Sequence, residues 1–309
     1  MERASSRPAE QASVRRRRIQ PGRIATIVGF LLPAAVLYVG LVLFPVVQAV
    51  YFSFFRWNGL GPLQNFTGLA NYTRAFSDRV FVGALGHNFL IVLLSLVVQL
   101  PLALGLALLV GRGLPGRAIF RTIFFMPFVL SEVVTGVIWN FIFRPNGGLI
   151  NVLLQSIFPN AAPTALLADP NTVLYALFAV ITWKYFGYHM ILYLAGLQNI
   201  PAELEEAAQI DGCGRFQTLR YITIPLLGST IRLTIYLSVL GAIQIFDLVW
   251  VMTTGGPVNA SDTMATYLFK FGFQRFQLGY GSAIAAIMFL ICFGFSLIYQ
   301  RAVMRRDFQ

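Results

Sequence analysis

Three stretches of this chain contain no charged residue over 25 residues or more. They lie at 24–55, 80–111 and 276–300, with His87 counted as neutral. Further apolar stretches that carry one or two charges each lie at about 119–142, 172–197 and 225–250. A bilayer core takes roughly 20 apolar residues per helix, and only helices or closed barrels satisfy the backbone there. The sequence therefore predicts an all-α polytopic membrane protein with six transmembrane helices.

The segments between these stretches differ in their content of basic residues. The formal net charge is +11. With the N-terminus placed inside, fifteen arginines fall in cytoplasmic segments, whereas six basic residues fall in outer segments: Arg56, Arg74, Arg79, Arg144, Lys270 and Arg275. This bias follows the positive-inside rule and predicts that both termini are cytoplasmic. We expect the arginines at 15–18 to form a solvated tail against the membrane lipid, with no nucleic acid as a partner.

Composition also suggests how the chain is divided. Residues 1–23 are rich in arginine and are predicted to be a disordered cytoplasmic tail. The apolar run that follows exceeds the roughly 7–15 residues of a signal-peptide core, so we interpret it as an uncleaved first helix. Residues 24–305 are predicted to form the membrane domain, with a cytoplasmic loop at about 198–224, and 306–309 a cytoplasmic end.

The sequence lacks the residues of a nucleotide site or a catalytic centre. A phosphate-binding P-loop needs Gly-Lys-Ser/Thr, but the two lysines, Lys184 and Lys270, do not follow glycine. Cys213 and Cys292 give neither a disulfide framework nor metal spacing. We therefore expect no enzyme activity and no cofactor in this chain. A self-contained secondary carrier or channel stays open as an alternative, although such proteins usually pair two repeats and no clear inverted repeat is visible.

A polar segment between the fourth and fifth apolar stretches concentrates acidic residues. Four of the twelve acidic residues fall within 203–212. Pro201 suits a first helical turn, carboxylates near a helix start suit its dipole, and Gly212 and Gly214 can end the helix. The segment is predicted to be a short cytoplasmic helix. It serves either as a docking surface for another protein or as an ordinary amphipathic connector on the bilayer.

The residue spacing in this loop is that of a known motif. Glu206-Ala207-Ala208, then three residues, Gly212, nine residues and Ile222-Thr223-Ile224-Pro225 resembles the EAA loop of permease subunits in bacterial binding-protein-dependent ABC importers. The family usually has leucine before the final proline, where this chain has Ile224. The later Thr254-Gly255-Gly256-Pro257 is similar to the carbohydrate branch, which includes maltose and glycerol 3-phosphate permeases.

This resemblance implies a fold, a location and a set of partners. It implies the transmembrane domain of a type I ABC importer in the bacterial plasma (inner) membrane, forming half of a translocation pore. The implied partners are a second related permease, an ATPase dimer that binds the ATP, an extracytoplasmic sugar-binding protein and a sugar substrate. The loop is implied to be a coupling helix that docks on the ATPase through five residues: Glu206, Ala207, Ala208, Asp211 and Gly212.

The resemblance also implies a substrate pathway built from helices 3, 4 and 5. Its expected residues are Phe128, Glu132, Lys184, Tyr185 and Ser238. Glu132 is expected about halfway along helix 3, on the same face as Phe128, either in contact with sugar hydroxyls or in a helix–helix hydrogen bond. Lys184 is expected to pair with Glu132 or with the partner subunit. Gln244 and Asp247, near the outer end of helix 5, are expected to face either the pore or the binding protein. Two neighbouring positions that are polar in the family are Ala242 and Ile245 here, which is unlike a maltose site.

Overall fold

The computed structural model describes residues 21–111, 116–160 and 162–304, with side chains from Thr26 onward. The predicted tail at 1–23 and the end at 306–309 lie largely outside these ranges. In the described residues the secondary structure is helical, and the only extended pairing is an isolated bridge between Phe55 and Phe66. The chain divides into two units after Gln48.

The first unit is one apolar helical run. It contains α1 (Pro21–Tyr38), a π-helical turn (Val39–Leu43) and the start of α2 (Phe44–Phe52). Pro33 lies inside α1 without ending the helix. The side chains of the most apolar part of this run are exposed.

The first half of the second unit holds one long helical segment, Arg79–Gly111, and several shorter helices. These are α3 (Ala70–Ser77), α4 (Arg79–Leu94), a π-helical turn (Ser95–Gln99), α5 (Leu100–Gly111), α6 (Arg117–Val129), α7 (Glu132–Ile142) and α8 (Leu149–Ile157).

The second half contains the longest uninterrupted α-helix and the cytoplasmic loop predicted from the sequence. Its helices are α9 (Val173–Gln198), α10 (Ala202–Ile210), α11 (Arg215–Thr218), a π-helical turn (Leu219–Thr223), α12 (Ile224–Leu226), α13 (Gly228–Gln244), α14 (Asp247–Thr253), α15 (Met264–Leu268), a π-helical turn (Phe269–Gln274) and α16 (Leu278–Ala302).

Among the described residues, three helices are long and apolar enough to cross a membrane: Thr26–Phe52, Arg79–Gly111 and Leu278–Ala302. The number rises to five if each of two bent helix pairs is one span. The remaining predicted span coincides with α9, which is not among those five. Its 26 residues extend about 39 Å, enough to cross a bilayer core.

The third predicted helix is broken, and here the sequence-based expectation was wrong. α6 and α7 meet at a bend of 97° across Leu130 and Ser131. Ser131 caps α7, since its hydroxyl accepts a hydrogen bond from the amide of Val134 at 3.2 Å. Glu132 is therefore the first residue of α7 and does not lie halfway along a helix shared with Phe128.

The fifth predicted helix is also broken. The helical segment Arg215–Leu226 meets α13 at a bend of 65°, so Pro225 lies before the bend and does not open the span. At the other end, α13 stops at Gln244, because Ile245 takes an extended conformation, and a new helix begins at Asp247.

The most buried helix is α9, which packs along α5 and α6. Its contact with α6 depends on Gly187. A β-carbon at Gly187 would overlap the backbone carbonyl of Phe124, so the two helices approach more closely there than a side chain permits. Small residues allow such close approach between membrane helices. This packing brings α9 against the break between α6 and α7.

Candidate functional site

The break between α6 and α7 leaves a backbone carbonyl that Lys184 of α9 binds. Leu130 is extended, and its carbonyl accepts a hydrogen bond from Lys184 Nζ at 2.5 Å. The same Nζ lies 3.6 Å from Glu132 Oε1. Lys184 is only 2% exposed, so its charge is held between a carbonyl dipole and a carboxylate. Of the two partners expected for Lys184, the structure shows Glu132.

Glu132 is held from a second side by the next residue of α9. The hydroxyl of Tyr185 donates a hydrogen bond to Glu132 Oε1 at 2.5 Å. Glu132 also occupies the first turn of α7, where a carboxylate suits the helix dipole. Its side chain is 28% exposed, so part of the carboxylate can accept hydrogen bonds from a ligand.

Aromatic rings stand beside this carboxylate. Phe128 stacks on Tyr188 with ring centroids 4.7 Å apart and an angle of 17° between the planes. Phe128 also meets Tyr185 edge-to-face at 6.0 Å. The arrangement provides an apolar ring surface next to a hydrogen-bond acceptor.

These groups line a cavity of about 370 Å³, within the usual volume of a small-molecule site. The walls are formed by the π-helical turn after α4, by α6, α7, α9 and α13, and by the start of α14. The lining residues with polar side chains are Ser95, Gln99, Glu132, Tyr185, Tyr188, His189, Ser238, Gln244 and Asp247.

The cavity contains most of the residues predicted for the substrate pathway. Phe128, Glu132, Tyr185 and Ser238 line it, although Phe128 and Glu132 come from different helices. Lys184 does not line the cavity but lies behind Glu132. Ala242 and Ile245, the two departures from the family pattern, are also in the wall.

Sequence reasoning missed four of the polar lining residues: Ser95, Gln99, Tyr188 and His189. A signal for the first two was present, since a serine and a glutamine four apart in an otherwise apolar run share one helix face. His189 is 96% buried, and its Nδ1 has no hydrogen-bond partner among the described residues. No group of three or more potential metal ligands occurs among the described residues.

The acidic loop forms the predicted short helix. α10 directly follows Pro201, and Glu203 and Glu205 lie in its first turn. The helix ends in a turn in which the amide of Cys213 donates to the carbonyl of Ala208 at 2.9 Å, and Gly212 takes a left-handed conformation with φ +82°. The five coupling residues predicted from the sequence therefore lie on one helix and its end.

The surface of this loop is both acidic and apolar. Glu206, Ala207 and Asp211 are exposed, whereas Ala208 is buried against the loop itself. Exposed apolar side chains lie around them, with exposed fractions of 86% for Ile210 and 71% for Phe216. An exposed apolar patch with an acidic rim is typical of a protein interaction surface.

The segment at 254–257 lies beside a buried ion pair. Asp262 is fully buried and binds Lys270 Nζ at 2.8 Å. Gly255 has φ +84°, and a β-carbon there would overlap the Asp262 carboxylate. The glycine therefore lets the chain pass close to the ion pair.

Comparisons with known proteins agree with this architecture. The family model described as "Binding-protein-dependent transport system inner membrane component" matches residues 99–307. The diacetylchitobiose uptake system permease protein NgcF of Streptomyces coelicolor is 33% identical over 96% of this chain and 88% of its own length. The sn-glycerol-3-phosphate transport system permease protein UgpA of Agrobacterium fabrum is 31% identical over 89% of this chain and 93% of its own length.

A solved structure shares the fold. A chain in the crystal structure of a bacterial ABC transporter that imports the acidic polysaccharide alginate superposes with a TM-score of 0.81. The match covers 92% of this chain and 96% of that chain at 21% identity.

Proposed function

We propose that this chain, which belongs to the family of inner membrane components of binding-protein-dependent transport systems, is the permease subunit of an ATP-driven carbohydrate importer. Relatives named for diacetylchitobiose and glycerol 3-phosphate uptake, each covering most of the chain, support this proposal. The chain would lie in the bacterial inner membrane with both termini in the cytoplasm, in keeping with the distribution of its arginines.

One observation carries the proposal: a single helix joins the cavity to the acidic loop. α9 supplies Tyr185 and His189 to the cavity wall and ends at Gln198, three residues before Pro201 and α10. Tyr185 and Gln198 are 13 residues apart, or about 20 Å along the helix axis. A movement imposed on the loop is thereby transmitted to the cavity wall by a rigid element.

In this proposal α10 is the coupling helix. Glu206, Ala207 and Asp211 face the ATPase subunit, since their side chains are exposed. Ala208 and Gly212 give the loop its shape, the first by packing inside it and the second by its left-handed turn. ATP binds to the partner ATPases, and this chain holds neither nucleotide nor cofactor.

The complete importer has further partners. A second, related permease closes the other half of the pathway, and an extracytoplasmic sugar-binding protein delivers the substrate. Closure of the ATPase dimer on ATP moves the docked loops and alternates the access of the cavity across the membrane. Membrane lipid covers the exposed apolar helices.

The proposal is tested by reconstitution in liposomes. The complete complex with its binding protein is expected to take up sugar only when ATP is supplied to the ATPase side. The chain reconstituted alone is the control and is expected to show no uptake. Uptake by the chain alone, driven by an ion gradient, would instead support a secondary carrier.

A further inference from the structure

We propose that the cavity selects an uncharged, hydroxyl-rich substrate and excludes acidic or phosphorylated sugars, with Glu132, Asp247 and His189 as the specificity-determining residues. This inference rests on the proposed function, since it concerns the substrate of the same cavity. It adds the chemical class of that substrate, which differs among the relatives and the solved structure.

The charges that face the cavity have one sign. Two carboxylates line it, Glu132 from α7 and Asp247 from α14, and Asp247 is exposed. No lysine or arginine is among the described residues that line it. Lys184, behind Glu132, is 2% exposed and is engaged by the Leu130 carbonyl and Glu132. A phosphate or carboxylate in this cavity would meet two carboxylates and no exposed cation from the described lining residues, which disfavours its binding.

The same groups suit hydroxyls. A carboxylate accepts hydrogen bonds only, and Glu132 still has acceptor sites free beside its bond to Tyr185. His189 also lines the cavity, and a neutral imidazole offers hydroxyls both a donor and an acceptor nitrogen.

The apolar part of the wall fits the body of a sugar. Phe128 and Tyr188 stack face to face, and together they extend the ring surface beside Glu132. Sugar rings combine apolar C–H faces with a rim of hydroxyls, which matches an aromatic surface edged by acceptors. Among the described lining residues, no side chain offers a positive charge that would stabilise a negative charge on the sugar.

The test is equilibrium dialysis of the assembled transporter without its binding protein, so that selection by this cavity is measured directly. The probes are an equimolar mixture of glucose, N,N′-diacetylchitobiose, glucuronate and glycerol 3-phosphate, each quantified by mass spectrometry. We expect wild type to retain uncharged members at least tenfold over acidic ones. The double variant Glu132→Gln/Asp247→Asn is expected to lower this ratio by at least fivefold. His189→Phe is expected to weaken binding of the uncharged members severalfold.

Asp169→Asn is the matched control. Asp169 is also a carboxylate but lies outside the cavity, where it accepts a hydrogen bond from the amide of Asn171 at 2.9 Å. Its removal should leave the ratio unchanged. The inference would be overturned if wild type retained acidic members as strongly as uncharged ones, or if it retained no member. An unchanged ratio in the double variant would overturn it as well. ATP-driven uptake with the binding protein, measured separately, tells these results apart from failure of the proposed function.

Discussion

At the scale of single residues, Lys184 explains how this chain tolerates a broken helix inside the membrane. A helix break frees a carbonyl that lipid cannot satisfy, and an unpaired buried carbonyl is costly. Lys184 satisfies that carbonyl, at Leu130, and its charge is balanced by Glu132, 3.6 Å away. An intramembrane lysine therefore has a structural role at the edge of the cavity that Glu132 lines.

Replacing this lysine should destabilise the protein. In Lys184→Met the Leu130 carbonyl loses its partner and Glu132 loses its counter-charge, at an expected cost of about 1–3 kcal/mol. Thermal unfolding of the purified protein in detergent measures the effect. Arg79→Met, which removes an exposed cation at the start of α4, should change stability by much less. An equal loss in both variants would contradict the bridging role of Lys184.

At the scale of elements, two glycines fix geometry that other residues disfavour. Gly212 ends α10 in a left-handed turn, and Gly187 allows α9 to approach α6. The reason for glycine differs between the two positions. Gly212 has a positive φ, whereas at Gly187 a β-carbon would overlap the neighbouring helix.

Substitution of Gly212 should impair transport more than it impairs folding. Gly212→Ala forces an alanine into the left-handed region at a cost of about 1–2 kcal/mol, and so shifts the end of α10, the proposed coupling helix. We expect sugar uptake to fall severalfold while the amount of protein in the membrane stays the same. Gly214→Ala is the control, because Gly214 has φ −71° and an added β-carbon would meet Gln217 Oε1 at 3.6 Å, an ordinary van der Waals contact. Equal uptake in the two variants would argue against a requirement for the turn.

Substitution of Gly187 should instead reduce stability. In Gly187→Ala the new methyl group overlaps the backbone of Phe124, and separating the helices costs about 1–3 kcal/mol. Gly83→Ala in α4 should be neutral or favourable by up to about 1 kcal/mol. An added β-carbon there would have no heavy atom within 4 Å outside the adjoining residues of its own helix. The measurement is the unfolding temperature of each variant in detergent, which should fall for Gly187→Ala but not for Gly83→Ala. An unchanged unfolding temperature for Gly187→Ala would show that the two helices can separate without cost.

The elements were predictable from the sequence, whereas their breaks were not. All six apolar stretches coincide with helical segments, because uncharged runs of that length have few alternatives in a bilayer. The bends at Leu130–Ser131 and at Leu227 lie inside the predicted spans, and the mean hydropathy of a span does not indicate where the helix changes direction. Ser131 was the available signal, since serine is a frequent helix cap, but serine also occurs inside membrane helices.

At the scale of the whole molecule, the cavity and the acidic loop can take part in one transport cycle only if a partner protein binds the loop. An external ATPase was implied by the resemblance of the loop to the EAA motif, and the lack of a nucleotide-binding motif in the sequence agrees with it. The candidate pathway residues were predicted in part, since Phe128, Glu132, Tyr185 and Ser238 meet in one cavity. Ser95, Gln99, Tyr188 and His189 were missed because only the packing of α9 and α13 against the π-helical turn after α4 brings them together.

Reversing a charge on the loop should weaken assembly with the ATPase without affecting the folding of this chain. Glu206→Lys places a cation on the exposed face of α10 and should weaken association with the ATPase by about tenfold, or roughly 1.4 kcal/mol. Co-purification of the ATPase with the permease measures this, alongside uptake in liposomes. Asp169→Lys, a reversal in the loop before α9 and far along the chain from α10, should leave ATPase binding intact. Full ATPase recovery with Glu206→Lys would exclude this contact.

Because α9 is unbroken, its length relates the movement at its end near the acidic loop to the movement at the cavity wall. Counted from its first residue, Val173, Tyr185 lies about 18 Å and Gln198 about 38 Å along the axis. If the helix pivots at Val173, a movement at Gln198 is about twice the movement at Tyr185. A displacement of about 4 Å at Gln198 then moves the cavity wall by only about 2 Å, with a correspondingly larger force.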